Sequence, residues 1–146
     1  LVAVPYHEMS PVEIRAFLQH GTRTAQLATT MADGAPHVMP VWFVLDGEDI
    51  VFNTGAATAK GRNLRRDPRV SLAVDDPVAP YGFVHIRGRA ALSEELAEVR
   101  RFAALIGGRY MGAKRAEEFG ERNGVAGELL VRVRPERLIA AADLAG

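Results

Sequence analysis

The 146-residue sequence contains no cysteine, which excludes disulfides, thiolate nucleophiles and Cys-ligated metals by composition. Net charge is also missing: 18 basic side chains meet 18 acidic ones. No bulk attraction to nucleic acid or to an acidic membrane is therefore expected. Histidine is sparse, and His7, His20, His37 and His85 never fall into an HExxH-type spacing, so no metal site is expected. No apolar run reaches the roughly 18 to 20 residues that cross a bilayer. The first residues also lack the basic, apolar, small-residue order of an export signal. The expectation is a cytoplasmic protein without a membrane span. Internal repeats and low-complexity linkers are absent as well.

What is present is ordinary for a globular chain, with 48% hydrophobic and 25% charged residues. The length suits one core, so residues 1–146 are read as a single domain. Ser10-Pro11-Val12-Glu13 supplies an N-cap, a proline at the first helical position and a capping-box acid. A helix from Pro11 to about Gln19, within the segment 10–20, should follow and end at Gly21. Asp33-Gly34 and Asp46-Gly47 separate β-rich runs and signal tight hairpins. They predict strands over about 23–32, 36–46 and 48–54. Pro40 interrupts the second, which places it at a bulge, at an edge or where a sheet splits.

Farther on, "RVSLAVDD" reads as a fourth strand, "YGFVHIRGRAALS" as a fifth and "ELLVRVRPERLIAA" as the last. Between the fifth and last, Leu96, Val99, Phe102, Ala103 and Ile106 keep a helical period that Gly107-Gly108 should stop. A shorter helix is expected over about Ala113 to Glu121. Six strands with peripheral helices and no βαβ regularity predict a mainly β fold, a closed or partly split six-stranded antiparallel barrel. Closure would remove the exposed edges of the sheet.

Between Lys60 and Arg69 the chain gathers Lys60, Arg62, Arg65, Arg66 and Arg69 against one acid, Asp67. Thr58 can cap a helix beginning at Ala59, leaving amide donors free in its first turn. An anion there would gain from those amides, from the positive helix end and from Lys60 and Arg62. Gly55, just upstream, permits close approach. A solvated helix face explains the same cluster, and nucleic acid does so less well because no long positive track exists. Upstream, the strand from Met39 to Trp42 can present backbone groups to the polar edge of a planar, redox-active ring. Trp42 then walls that site or fills a core or interface. Asn53 and Thr54, at a strand end, reach toward a phosphate or finish the turn.

Taken together, "TAQLATTMADGAPHVMPVWFVLDGEDIVFNTG" followed by "TAKGRNLRRDPRVSLAVDD" resembles the pyridoxamine 5′-phosphate oxidase-like split-barrel superfamily, also called flavin/deazaflavin oxidoreductases. It is most similar to the actinobacterial branch that uses coenzyme F420, from about Arg23 through Leu138. The resemblance implies a six-stranded split barrel (FMN-binding split barrel) that forms a homodimer with two cofactor sites at the subunit interface. It makes Lys60 and Arg62 the leading ligands of the cofactor phosphate or tail. Thr54, Thr58 and Ala59 assist, and Met39, Pro40, Val41 and Trp42 line the deazaflavin. Asn63 caps or braces the same helix, and the partner's segment 81–87 covers the cofactor. The implied chemistry is hydride transfer from reduced F420 to an unsaturated small-molecule acceptor: a conjugated carbonyl, quinone-like compound or tetrapyrrole. The alternatives are an FMN-dependent reductase or oxidase and a non-catalytic flavin- or haem-binding protein. No catalytic acid or base is assigned, although His37, His85 and Tyr110 stand as candidates; Arg109 binds an acidic substrate or cofactor tail, or with Tyr110 caps a helix or bridges subunits.

Overall fold

Ser10 starts the first helix by the expected reciprocal box. In the computed structural model, which describes residues 7–146, Ser10 Oγ accepts from the Glu13 amide at 3.3 Å and Glu13 Oε1 accepts from the Ser10 amide at 3.0 Å. The capped helix is α1 (Pro11–Gln19), and Leu18 turns into the core. Residues 1–6, part of the expected domain, lie outside the described residues.

Among the described residues eight strands form one antiparallel sheet: β1 (His7–Glu8), β2 (Ala25–Thr30), β3 (Pro36–Val41), β4 (Val44–Asp46), β5 (Asp49–Gly55), β6 (Arg69–Asp76), β7 (Gly82–Ser93) and β8 (Glu128–Ala142). The helices beyond α1 are α2 (Ala59–Arg66), α3 (Leu96–Met111) and α4 (Ala116–Asn123). Both Asp-Gly hairpins form. Gly34 and Gly47 take φ of 87° and 61°, and the second turn is closed by the pair Asp46↔Asp49. A glycine tolerates these angles without a Cβ penalty.

The expectation of six strands is corrected to eight. His7–Glu8 adds a short strand on β8, and the single strand expected over 36–46 is two. Its first part pairs β2 and its second pairs β5, with Trp42-Phe43 between them outside any strand. The sheet runs β3-β2-β6-β7-β8-β5-β4, so β3 and β4 lie at its opposite ends. Backbone hydrogen bonds do not close the barrel. Covalent continuity through Trp42-Phe43 links the two ends, and the expected removal of sheet edges does not occur. Pro40 sits opposite Gln26 with no register shift between β2 and β3, so it occupies an edge strand rather than a bulge. A missing ladder donor costs nothing on such an edge.

The break in the sheet exposes backbone groups that need partners. Phe43 donates its amide to Tyr110 Oη at 3.2 Å, and its carbonyl accepts from Arg109 at 2.7 Å. Tyr110 Oη in turn donates to the Arg23 carbonyl at 2.8 Å. Both side chains come from α3. The expected helix stop at Gly107-Gly108 is therefore also corrected, because α3 continues through the pair to Met111. A Cβ on Gly107 would lie 2.2 Å from Phe119 Cβ. The glycine makes room for α4 against α3 instead of ending a helix.

Leu27, Phe43, Phe52, Leu72, Ile86 and Val131 fill the main core inside the curved sheet, and Val51, Leu130, Val99 and Phe102 make a smaller one under α3. No helix among the described residues is long and apolar enough to cross a membrane.

Candidate functional site

A cleft of about 420 Å³ opens at the split in the sheet, a size that suits a small organic ligand. Its floor begins where β5 ends. Thr54 and Gly55 lead through a short turn into α2, and the turn is held by the Ala56 amide donating to the Gly127 carbonyl at 2.8 Å. Thr58 caps the helix. Its Oγ1 accepts from the Gly61 amide at 3.1 Å and donates to the Gly55 carbonyl at 2.7 Å. The Arg62 amide bonds the Thr58 carbonyl, which leaves the Ala59 and Lys60 amides as first-turn donors without intrahelical acceptors. Helix start and strand end lie in direct contact, since a Cβ on Gly61 would fall 2.2 Å from the Gly55 carbonyl oxygen.

Pro40, Val41 and Trp42 line one part of it, and α3 and α4 line another through Ala103, Ile106, Gly107, Phe119 and Asn123, with the Trp42 and Phe119 ring centroids 6.4 Å apart. Trp42 lies parallel to Tyr110, with ring centroids 4.8 Å apart and an interplanar angle of 2°. Such stacking fixes an aromatic face at the cleft. Asn53 also lines the cleft; its Nδ2 donates to the Val99 carbonyl at 3.3 Å.

The basic cluster divides by partner. Arg65 pairs with Glu94 at 2.7 Å, and Arg66 reaches Asn63 Oδ1 and the Thr30 carbonyl. Arg69 grips Asp67, whose carboxyl its guanidinium holds down at about 2. Arg62 folds back onto the Ala57 carbonyl. Lys60 is the basic side chain that lines the cleft. Across from it stands Glu128, paired with Gly55 in the β5-β8 register. Burial pushes the Glu128 carboxyl above the usual range, and the nearby Lys60 charge offsets part of that rise.

Six of the residues expected from the sequence meet here: Pro40, Val41, Trp42, Thr54, Thr58 and Lys60. Ala59 sits in the first turn of α2 without lining the cleft, and Met39 lies on the exposed edge strand. Asn63 is buried and donates to Thr29 Oγ1 at 3.1 Å, which makes it the brace of the helix. Among the other candidates, His85 bonds Ser71 Oγ at 2.6 Å, and Arg109 and Tyr110 serve the backbone at the break. None of these three, nor His37, lines the cleft. The α3-α4 wall and Glu128 were not expected. The sequence signal for the wall is Gly107-Gly108 inside an amphipathic run. Glu128 has none, because pairing register alone brings it beside Gly55.

Compared with known proteins, residues 10–140 match the family model described as pyridoxamine 5′-phosphate oxidase. No curated protein matches the chain. A conserved hypothetical protein from Mycobacterium tuberculosis is similar over 92% of this chain and 86% of its own, with 29% identity and a TM-score of 0.82. An F420 reductase is 27% identical over 83% of this chain and 92% of its own, with a TM-score of 0.66. The heme storage protein HutZ from Vibrio cholerae shares the fold at a TM-score of 0.70 and 24% identity, over 93% of this chain and 98% of its own.

Proposed function

We propose that this chain, which belongs to the pyridoxamine 5′-phosphate oxidase family, is an oxidoreductase that holds a phosphate-bearing flavin-type cofactor at the split of its sheet. One observation carries the reading. The open first turn of α2, with Lys60, shares a cleft with the backbone of Pro40 to Trp42, so an anion site and a flat wall adjoin. The residues fit such a group. Gly55 leaves open a point that any Cβ would fill, 3.1 Å from Thr58 Cγ2, and the donor set is amides plus one ammonium, suited to a phosphate.

Each part has a physical role. Lys60 and the free amides hold the anionic end, while the Thr54 and Thr58 hydroxyls, 3.2 Å apart, keep strand end and helix cap in register. As an edge strand, β3 carries a row of backbone groups without ladder partners, and these meet the polar edge of the ring. Ile106 and Phe119 add apolar surface beside it. When bound, the cofactor supplies hydride transfer to an unsaturated small-molecule acceptor. The protein's share is orientation. Val38 and Met39, on the same edge strand and 61% and 42% exposed, offer an apolar surface to a second copy. In this reading the partner's segment 81–87 completes the site of a homodimer.

FMN is the cofactor the site favours. Arg65, Arg66 and Arg69 are engaged elsewhere and Arg62 bonds the Ala57 carbonyl, which leaves Lys60 and the first-turn amides to meet one compact phosphate. F420, with its longer phosphorylated tail, is the second reading and is supported by the 27% identity to an F420 reductase. Parallel absorption titrations with FMN, F420 and haem, followed by turnover of the reduced cofactor on a panel of acceptors, decide among them. The expected result is saturable FMN binding by a species of twice the chain mass, with acceptor-dependent reoxidation. Selective F420 binding moves the assignment to the second reading. Haem binding without affinity for either cofactor removes the oxidoreductase reading altogether.

A further inference from the structure

We propose that Glu128 is a proton-linked residue of the cofactor site: its carboxylate stands beside the phosphate position and takes up a proton when the phosphate arrives. The inference deepens the cofactor reading above and rests on it.

The geometry comes first. Glu128 opens β8 opposite Gly55, and the point where a Gly55 Cβ would sit lies 4.0 Å from Glu128 Oε1 and 3.1 Å from Thr58 Cγ2. Carboxylate and helix cap thus bracket the same small space. Among the described residues the carboxylate receives no hydrogen bond, and the charge acting on it is that of Lys60. The other elements around the cleft bring neutral groups to it: Asn53 and Thr54 from β5, and Asn123 from α4. The one opposing charge among the cleft residues is that of Lys60, which makes no ion pair with the carboxylate and which a phosphate would claim.

Burial already pushes this carboxyl upward against the pull of Lys60. A phosphate bound at Lys60 adds like charge beside it and engages the lysine whose charge offsets the rise. Both changes favour the neutral acid. The proton comes from solvent, and the protonated carboxyl can then donate to a phosphate oxygen. Binding at Lys60 and the α2 terminus therefore carries proton uptake. The phosphate monoester's own second ionisation, near about 6, pulls the other way, since a cationic site prefers the dianion and releases a proton. The two sources are distinguished by sign.

The test compares FMN affinity of the intact protein and Glu128→Gln from pH 5 to 8, with calorimetry in two buffers of different ionisation enthalpy. Glutamine keeps the shape and removes the charge. The two proteins should bind alike at pH 5 and diverge as pH rises, with Glu128→Gln about tenfold tighter at pH 8, the effect of moving one pKa by about one. Proton uptake should appear in the intact protein and vanish in the variant. If FMN binds both but the affinity ratio stays flat with pH, or the variant binds more weakly throughout, Glu128 is not the proton-linked residue, and the cofactor reading stands. If neither protein binds FMN or F420, the cofactor reading fails and takes this inference with it.

Discussion

Replacing Arg109 by alanine should lower the unfolding free energy by about 3 to 5 kcal/mol, among the largest losses available to a single side chain here. Its guanidinium donates to three carbonyls, two at the end of α1 and one at the sheet break: Leu18 at 2.7 Å, Gly21 at 3.1 Å and Phe43 at 2.7 Å. It also lies over the Phe43 ring at 4.7 Å. Burial lowers its proton affinity from the usual arginine value, yet an arginine remains charged across the working range, so these are charge-assisted bonds. Alanine leaves the carbonyls at the end of α1 and at the sheet break without their donor. Lysine keeps the charge but cannot fork to three acceptors, and should recover only part of the loss. Urea unfolding of both variants measures this. A loss below about 1 kcal/mol for alanine would show that the break holds without α3.

Gly61→Ala should abolish cofactor binding, with affinity reduced at least about a hundredfold. By helix propensity alone the change favours α2 by about 1 kcal/mol. Packing reverses the sign. The new Cβ would meet the Gly55 carbonyl oxygen at 2.2 Å and the Ala56 carbonyl oxygen at 2.9 Å, and backbone atoms cannot rotate away as a side-chain end can. Forced overpacking of this kind costs about 1 to 3 kcal/mol. The helix start must lift from β5, and Lys60 and the Thr58 cap lift with it. Arg65→Ala, on the exposed face of the same helix, removes a pair with Glu94 and should leave binding within about twofold, because exposed ion pairs contribute little. Equal affinity in Gly61→Ala and the unmodified protein would mean that the phosphate does not depend on this contact.

Local chemistry was legible in the sequence, and long-range contacts were not. Ser10 and Thr58 announce helix starts because a cap is satisfied within three residues, and the two Asp-Gly pairs announce hairpins for the same reason. The split at Trp42-Phe43 is different. Its backbone is satisfied by Arg109 and Tyr110, far along the chain, so nothing near residue 42 records it beyond Pro40. Gly107-Gly108 reads as a helix stop because glycine's local meaning is conformational freedom, whereas here its missing Cβ is a place for Phe119. The sequence shows the basic cluster, but its division follows from where Glu94, Asp67, Thr30 and Ala57 stand. Spacing along α2 does not reveal that.

The chain has one tryptophan, and it is Trp42 at the cleft, so its fluorescence reports the ring site directly. Titration of the intact protein with FMN and with F420 should give saturable quenching of that emission by at least one of them. Lys60→Ala should shift the curve about 10- to 100-fold to weaker binding, the loss of one charge-assisted contact. Saturable cofactor binding that leaves Trp42 emission unchanged, or identical curves for the intact protein and Lys60→Ala, would place the cofactor elsewhere and contradict the account.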